Sequence, residues 1–230
     1  MSVTQCVLLV GGLGTRLGDL TAQTPKPMLE VAGKPFLEHL LAKAAGHGFR
    51  QVLLLAGFRA EVLETWLARD RVAERLGLSI EVIVEPQPLG TGGALIQALD
   101  RLDDAFLLAN GDTWFDFDWR ALADRADTPV VMALRQITHA DRYETAVLEA
   151  GRVLAFKSRT GAATPGLING GVYRIEKAAL PDRTGAWSLE ADLLPQAAAG
   201  GRLGGEVFAG DFIDIGVPDS FAAAQDLLRR

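Results

Sequence analysis

Apolar and polar positions along the first part of the chain fall into blocks of strand length and helix length. Cys6–Val10 is a short apolar run ending in glycine, which predicts a buried strand. Phe36–Ala45 repeats apolar residues at helical spacing behind Pro35, a favourable first-turn residue. Gln51–Ala56 predicts a second strand, Ala60–Ala68 a helix and Ile80–Val84 a third strand. Thr91–Leu99 predicts a helix opened by glycines. Ala105–Ala109 predicts a strand running into Asn110-Gly111-Asp112, and Val130–Leu134 a fifth strand. Strands separated by helix-length segments imply right-handed crossovers and a mostly parallel sheet covered by helices on both faces.

The texture changes after about residue 140. Ala146–Glu149, Val153–Lys157, Gly170–Arg174 and Glu206–Phe208 read as short strands, expected to run antiparallel around loops. Ser188–Ala199 and Pro218–Leu228 read as helices, with Pro218 in a first-turn position. No internal repeat, low-complexity tract or linker interrupts the chain. The expectation is one α/β domain, Rossmann-like, with a mixed, mostly parallel sheet and a small antiparallel portion. Residues 1–140 would form one half and residues 141–230 the other.

Composition narrows the class. With 230 residues, 49% hydrophobic and 23% charged, the chain can bury a sizeable core. A net charge of −6 with no basic stripe argues against a nucleic-acid surface. The single cysteine, Cys6, lies in the first strand and reads as a small buried hydrophobe, so no internal disulfide can form. No secretory signal is evident, and no apolar run reaches the roughly 18–20 residues needed to span a membrane. A cytoplasmic protein without membrane or nucleic-acid partners is expected.

Chemistry concentrates where the first strand ends. Val10-Gly11-Gly12-Leu13-Gly14-Thr15-Arg16-Leu17 is followed by Thr24-Pro25-Lys26-Pro27-Met28. Glycines let backbone N–H groups approach a polyanion, and Arg16 and Lys26 add two fixed positive charges. The dinucleotide fingerprint is absent, because Leu17 stands where its third glycine belongs. The P-loop is absent too, because Thr15-Arg16 follows Gly14 in place of Lys-Ser/Thr. What remains is a device for gripping a triphosphate, against the plainer alternative of a tight turn with solvated cations.

These residues resemble the signature of the sugar-1-phosphate nucleotidyltransferases. The similarity continues through Pro88-Leu89-Gly90-Thr91-Gly92-Gly93-Ala94, Asn110-Gly111-Asp112, Ile168-Asn169-Gly170-Gly171-Val172-Tyr173, Ser188-Leu189-Glu190-Ala191-Asp192 and Phe212-Ile213-Asp214-Ile215-Gly216. The combination resembles that of the D-glycero-α-D-manno-heptose 1-phosphate guanylyltransferases. The resemblance implies attack of a sugar phosphate oxygen on the α-phosphorus of a nucleoside triphosphate, with Mg²⁺ as cofactor and pyrophosphate as leaving group. The second half of the chain would then hold the sugar phosphate. A nucleotide sugar for surface polysaccharide would be the product, and a homodimer is the expected assembly.

Site roles follow from the same comparison. Arg16 would bridge the α- and β-phosphates, its planar fork matching phosphate geometry, and Lys26 would face the α-phosphoryl group. Asp112, beyond the carboxyl end of a strand, and Asp214, between apolar neighbours, would share the metal. Gly11, Gly12, Gly14, Thr15, Glu85, Gly90 and Thr91 would contact the nucleotide. Lys157, Asn169, Gly170 and Glu190 would contact the sugar phosphate. Asp192 either joins them, caps a helix or faces solvent. A carboxylate only accepts hydrogen bonds, so Glu85 favours guanine with its adjacent N1–H and N2–H₂; alternatively its backbone does the reading. His39, His47 and His139 show no metal-ligand spacing, and Trp114, Phe115, Phe117 and Trp119 read as core and site-wall packing. Mannose 1-phosphate with GTP, N-acetylmuramate 1-phosphate with UTP, and a non-catalytic nucleotide-sugar-binding subunit stay open as alternatives.

Overall fold

In the computed structural model, which describes residues 3–12, 14–159, 161 and 164–229, the apolar blocks become strands and helices much as the sequence predicts. Leu13, inside the glycine-rich motif, lies outside the described residues. In chain order the strands are β1 (Gln5–Leu9), β2 (Glu30–Val31), β3 (Lys34–Pro35), β4 (Gln51–Ala56), β5 (Ser79–Val84), β6 (Ala105–Asn110), β7 (Thr113–Phe115), β8 (Val130–Ile137), β9 (Thr145–Glu149), β10 (Arg152–Lys157), β11 (Gly166–Glu176), β12 (Leu203–Phe208) and β13 (Phe212–Asp214). The helices are α1 (Phe36–Gly46), α2 (Ala60–Arg69), α3 (Val72–Leu76), α4 (Gly90–Gln97), α5 (Trp119–Ala123), α6 (Leu194–Ala199) and α7 (Pro218–Leu227). A π-helical turn, Leu189–Leu193, leads into α6.

The chain divides into two compact units that interleave along the sequence. One comprises Thr4–Pro88, Ala109–Trp114 and Ile213–Arg230; the other comprises Met1–Val3, Leu89–Leu108 and Phe115–Phe212. They are called the first and second units below.

In the first unit, β1 and β5 flank β4 in parallel, with Cys6 opposite Val52 and Leu55 opposite Ile83. Cys6, Val7, Leu8 and Leu54 are fully buried, as short apolar strands covered on both faces must be. Phe36, Leu37, Leu40, Leu41 and Ala44 form the buried stripe of α1 at helical spacing. His39 on the same helix is buried, and its Nε2 lies 2.8 Å from the Val31 carbonyl. The β2–β3 turn places Ala32 and Gly33 at φ of +51° and +83°. A residue of α7 holds it: Gln225 Oε1 accepts the Ala32 N–H at 2.9 Å, and Gln225 Nε2 donates to the Glu30 carbonyl at 2.8 Å.

In the second unit the strands are mixed. β11 runs antiparallel to β8, β12 runs parallel to β8, and β10 runs antiparallel to both β12 and β9. The expected antiparallel course of residues 206–208 therefore holds for β12 only toward β10, which it meets at Gly204; residues 206–208 themselves pair in parallel with β8. The chain leaves β11, passes through α6 and re-enters on the far side of β8, so β12 runs opposite to β11 and in the same direction as β8. The β11–β8 register shifts between Asn169 and Tyr173, where Gly171 takes a φ of +71°. Phe115, Phe117 and Trp119 are buried; Phe115 meets Phe117 and Phe212 edge-on at 4.8 and 5.6 Å. Those rings are core, as the sequence reading expects.

Candidate active site

The phosphate-type loop starts where β1 runs out of partners. The Val10 N–H donates to the Leu55 carbonyl at 2.9 Å, and the chain then leaves the sheet at Gly11. A Cβ at Gly11 would stand 3.2 Å from the Gly57 nitrogen and 2.7 Å from Glu85 Oε1. Only glycine allows that approach, and it sets the Glu85 carboxylate beside the start of the loop. Glu85 is anchored through its own N–H, which donates to the Ala56 carbonyl at 2.8 Å.

Gly12 is exposed, with open space where a side chain would be. Gly14 takes a φ of +63° and opens a 3-10 turn over Thr15–Thr21. A Cβ there would come within 2.9 Å of the Thr21 methyl and 3.2 Å of Lys26 Cβ. The loop is thus folded back against the Lys26 segment. Thr15 and Arg16 are exposed on it, and Lys26 is buried at its base, braced by buried Pro25 and Pro27.

Asp112 reaches the same place from β6. The Gly111 N–H donates to the Leu9 carbonyl at 2.9 Å. A Cβ on Gly111 would collide with that carbonyl and with the Val10 side chain, so the Asn110-Gly111-Asp112 run needs its glycine to lie against β1. The carboxylate of Asp112 accepts from Lys26 Nζ at 2.5 Å through Oδ2 and from Thr113 Oγ1 at 3.0 Å through Oδ1. Its carbonyl accepts the Ile215 N–H at 2.9 Å, which ties it to the strand carrying Asp214.

Asp214 Oδ1 accepts the Gly216 N–H at 3.1 Å. A methyl placed on Gly216 would come within 2.7 Å of Asp214 Oδ1 and 3.2 Å of Arg16 Nη2, so guanidinium and carboxylate flank one glycine. Ile215, the fully buried residue between Asp214 and Gly216 in the chain, fixes this segment in the core. Arg16, Lys26, Asp112 and Asp214, spread from position 16 to position 214, therefore gather within the first unit, as the Lys26–Asp112 ion pair and as Arg16 and Asp214 on either side of Gly216. No group of three or more His, Cys, Asp or Glu side chains gathers among the described residues. Two hard oxygen donors without nitrogen or sulfur ligands suit a hard divalent cation that takes its other ligands from phosphate and water.

A second set lies in the second unit. The Gly90-Thr91-Gly92-Gly93 turn of α4 packs on Trp187: a Cβ at Gly90 would sit 2.5 Å from the Trp187 carbonyl, and one at Gly92 would enter its ring. Thr91 Oγ1 donates to Glu190 Oε2 at 2.6 Å. Asn169, at the β11 irregularity, donates from Nδ2 to the Tyr173 hydroxyl at 2.6 Å and accepts the Gly171 N–H at 2.9 Å. Gly170 has no room for a side chain, with Phe115 Cδ1 2.7 Å from where its Cβ would be. Lys157 is exposed at the end of β10, opposite Thr145. Asp192 caps the π-helical turn: its Oδ2 accepts the Ser188 N–H at 2.9 Å, and Arg183 lies 3.3 Å from Oδ1. The Ser188 N–H holds the Asp192 carboxyl below the usual carboxylate range, with Arg183 adding to the shift. Ser188, whose hydroxyl also reaches Glu190, escapes the sequence reading; its place just before the Leu189–Leu193 turn is a helix-cap signal that carries no hint of the partner.

Residues 5–230 match the family described as nucleotidyl transferase. Over 231 aligned residues the chain is 34% identical to a D-glycero-alpha-D-manno-heptose 1-phosphate guanylyltransferase of Aneurinibacillus thermoaerophilus, covering 98% of each. It is 36% identical to a mannose-1-phosphate guanylyltransferase of Mycobacterium tuberculosis over 97% of its own length and 64% of that protein. The crystal structure of HddC from Yersinia pseudotuberculosis complexed with GMP-PN superposes with a TM-score of 0.87 at 28% identity, covering 99% of this chain and all of that one. The loop, the paired charges and this full-length likeness agree: the chain belongs to the nucleotidyl transferase family.

Proposed function

We propose that this protein transfers GMP from GTP to a sugar 1-phosphate, with D-glycero-α-D-manno-heptose 1-phosphate as the first candidate, and releases pyrophosphate. The observation that carries the proposal is the convergence of Arg16, Lys26, Asp112 and Asp214 on one loop of the first unit. Two phosphate groups must meet for the reaction to proceed. At about 4 Å and an effective dielectric near 20, one pair of like charges opposes that by roughly 4 kcal/mol. Fixed cations offset the repulsion, and positioning supplies most of the remaining rate in phosphoryl transfer.

The acceptor's phosphate oxygen forms a bond to the α-phosphorus, and the bond from that phosphorus to the α–β bridging oxygen breaks. Its electron pair leaves on pyrophosphate. Arg16, exposed on its turn, is assigned to the leaving pyrophosphate, where a rigid fork meets two oxygens at once. Lys26, buried and stiffened by prolines, is assigned to the α-phosphoryl group. Mg²⁺ is the proposed cation, held by Asp112 and Asp214, and when bound it neutralises triphosphate charge. Gly11 and Glu85 lie together at the loop's start and are assigned to the base; an acceptor-only carboxylate favours guanine's paired donors. Asn169, Gly170, Glu190 and Lys157 are assigned to the sugar phosphate.

The relatives named as heptose and mannose 1-phosphate guanylyltransferases support GTP as donor and make mannose 1-phosphate the second acceptor to try. GTP is a cytoplasmic metabolite, and the cytoplasm is the proposed site of action, with surface polysaccharide synthesis as the consumer. Among the described residues no helix is long and apolar enough to cross a membrane. The test is Mg²⁺-dependent pyrophosphate release with a matrix of nucleotides and sugar 1-phosphates. GTP with heptose 1-phosphate should give the highest kcat/KM. Silence across the whole matrix would overturn the proposal.

A further inference from the structure

Thr91 stands in the α4 turn that the sequence assigns to the nucleotide, but its hydroxyl is committed elsewhere. Oγ1 accepts the Leu189 N–H at 2.8 Å and donates to Glu190 Oε2 at 2.6 Å. A hydroxyl carries one proton, so none is left for a base edge or a phosphate. The same Glu190 oxygen accepts Ser188 Oγ at 3.1 Å, and Ser188 Oγ in turn accepts the Ala191 N–H at 3.1 Å. Glu190 Oε2 is thereby held from two sides, whereas Oε1 has no partner among the described residues.

The frame around these bonds is rigid for backbone reasons. The Trp187 N–H donates to the Leu89 carbonyl at 3.0 Å, and the Gly92 N–H returns a bond to the Trp187 carbonyl at 3.0 Å. A Cβ at Gly93 would stand 2.6 Å from the Gly185 carbonyl. Residues 89–93 and 185–190 are thus locked in one register, with Thr91 facing Glu190.

We propose that Thr91 is a positioning residue: together with Ser188 it pins Oε2 of Glu190 so that Oε1 is presented as an acceptor to a hydroxyl of the sugar 1-phosphate. This rests on the transferase reading above. A carboxylate with one oxygen anchored and one open suits a hydroxyl donor, and fixing it beforehand spares the rotamer entropy of ordering it on binding.

The experiment compares steady-state constants of the wild type with Thr91→Val, Thr91→Ser, Ser188→Ala, Glu190→Gln and the Thr91→Val/Glu190→Gln pair, using GTP and the best acceptor from the matrix. Thr91→Val should raise KM for the sugar 1-phosphate about tenfold, the scale of one hydrogen bond to a charged group. KM for GTP should stay within about threefold of wild type. Thr91→Ser should recover most of the loss. In the Glu190→Gln background, Thr91→Val should add little, because the group it positions has changed. Ser188→Ala should raise the sugar KM in the same direction, and it decides the matter alone if Thr91→Val does not fold. An unchanged sugar KM in Thr91→Val, or an equal rise for GTP, would overturn the positioning role while leaving the transferase standing. If the wild type releases no pyrophosphate with any acceptor, both fall together.

Discussion

Arg16 and Lys26 bring positive charge to one loop in different ways. Lys26 is buried and already bonded to Asp112, so its ammonium is fixed in place. Arg16 is exposed and reaches the Gly216 region only by its tip, which leaves the fork accessible to an arriving anion. Arg16→Ala should therefore lower kcat at saturating substrates by about two decades, near 3 kcal/mol of transition-state stabilisation, by analogy with loss of one preorganised donor. Steady-state pyrophosphate release checks this; a loss under about fivefold would remove Arg16 from the chemical step. The residue scale was also where the sequence was most legible. A charged side chain in an apolar run, such as Asp214 between Ile213 and Ile215, is poorly explained by apolar packing and reads either as chemistry or as a cap on local backbone; its carboxylate does accept the Gly216 N–H. Thr91 was not legible in the same way. A threonine in a glycine-rich turn gives no sign of whether its hydroxyl serves a ligand or a carboxylate 99 residues away.

At the scale of elements, the geometry of the site depends on how closely β6 ends against β1. Gly111→Ala would push a methyl into the Leu9 carbonyl and the Val10 side chain. Such overpacking typically costs about 2 kcal/mol, which for a chain of this size lowers Tm by roughly 4–8 °C. Calorimetry checks the shift, and activity should fall with it because Asp112 follows directly. The joint between α1 and β2 has a pH dependence of its own. Burial lowers the His39 pKa from its ordinary value of 6.5, against the smaller upward pull of the Val31 carbonyl. The native state then binds fewer protons than the unfolded chain below about pH 6.5, so stability drops as pH falls from there toward the depressed native value. Between about pH 7.5 and 5.5 the wild-type Tm should drop more than that of His39→Gln, whose amide can still donate to Val31. Elements such as β4 and α1 were readable because one is an unbroken apolar run of strand length and the other repeats its apolar residues at helical spacing over about three turns. The strands β2, β3, β7 and β13 have two or three residues each, too short for any period to show.

For the whole molecule, nucleotide binding and catalysis can be separated. GTP with Mg²⁺ at about a hundredfold its dissociation constant should stabilise the fold by roughly 2.7 kcal/mol, whereas UTP at the same concentration should stabilise it less. Thermal shift measures this before any acceptor is added; equal shifts would remove the case for guanine at Glu85. The division into two units was hidden from a linear reading because each unit draws on separate stretches of the chain. The parallel pairing of β12 with β8 was hidden for a related reason: which neighbours a strand lies between is set by the connections that deliver it, and 206–208 carries no mark of them. The single carboxamide of Gln225 has a consequence for anyone who removes α7. It serves the N–H of Ala32 and the carbonyl of Glu30 together, so α7 buttresses the stretch leaving the Lys26 segment. Deleting that helix unfastens a strut whose loss would be felt at the lysine.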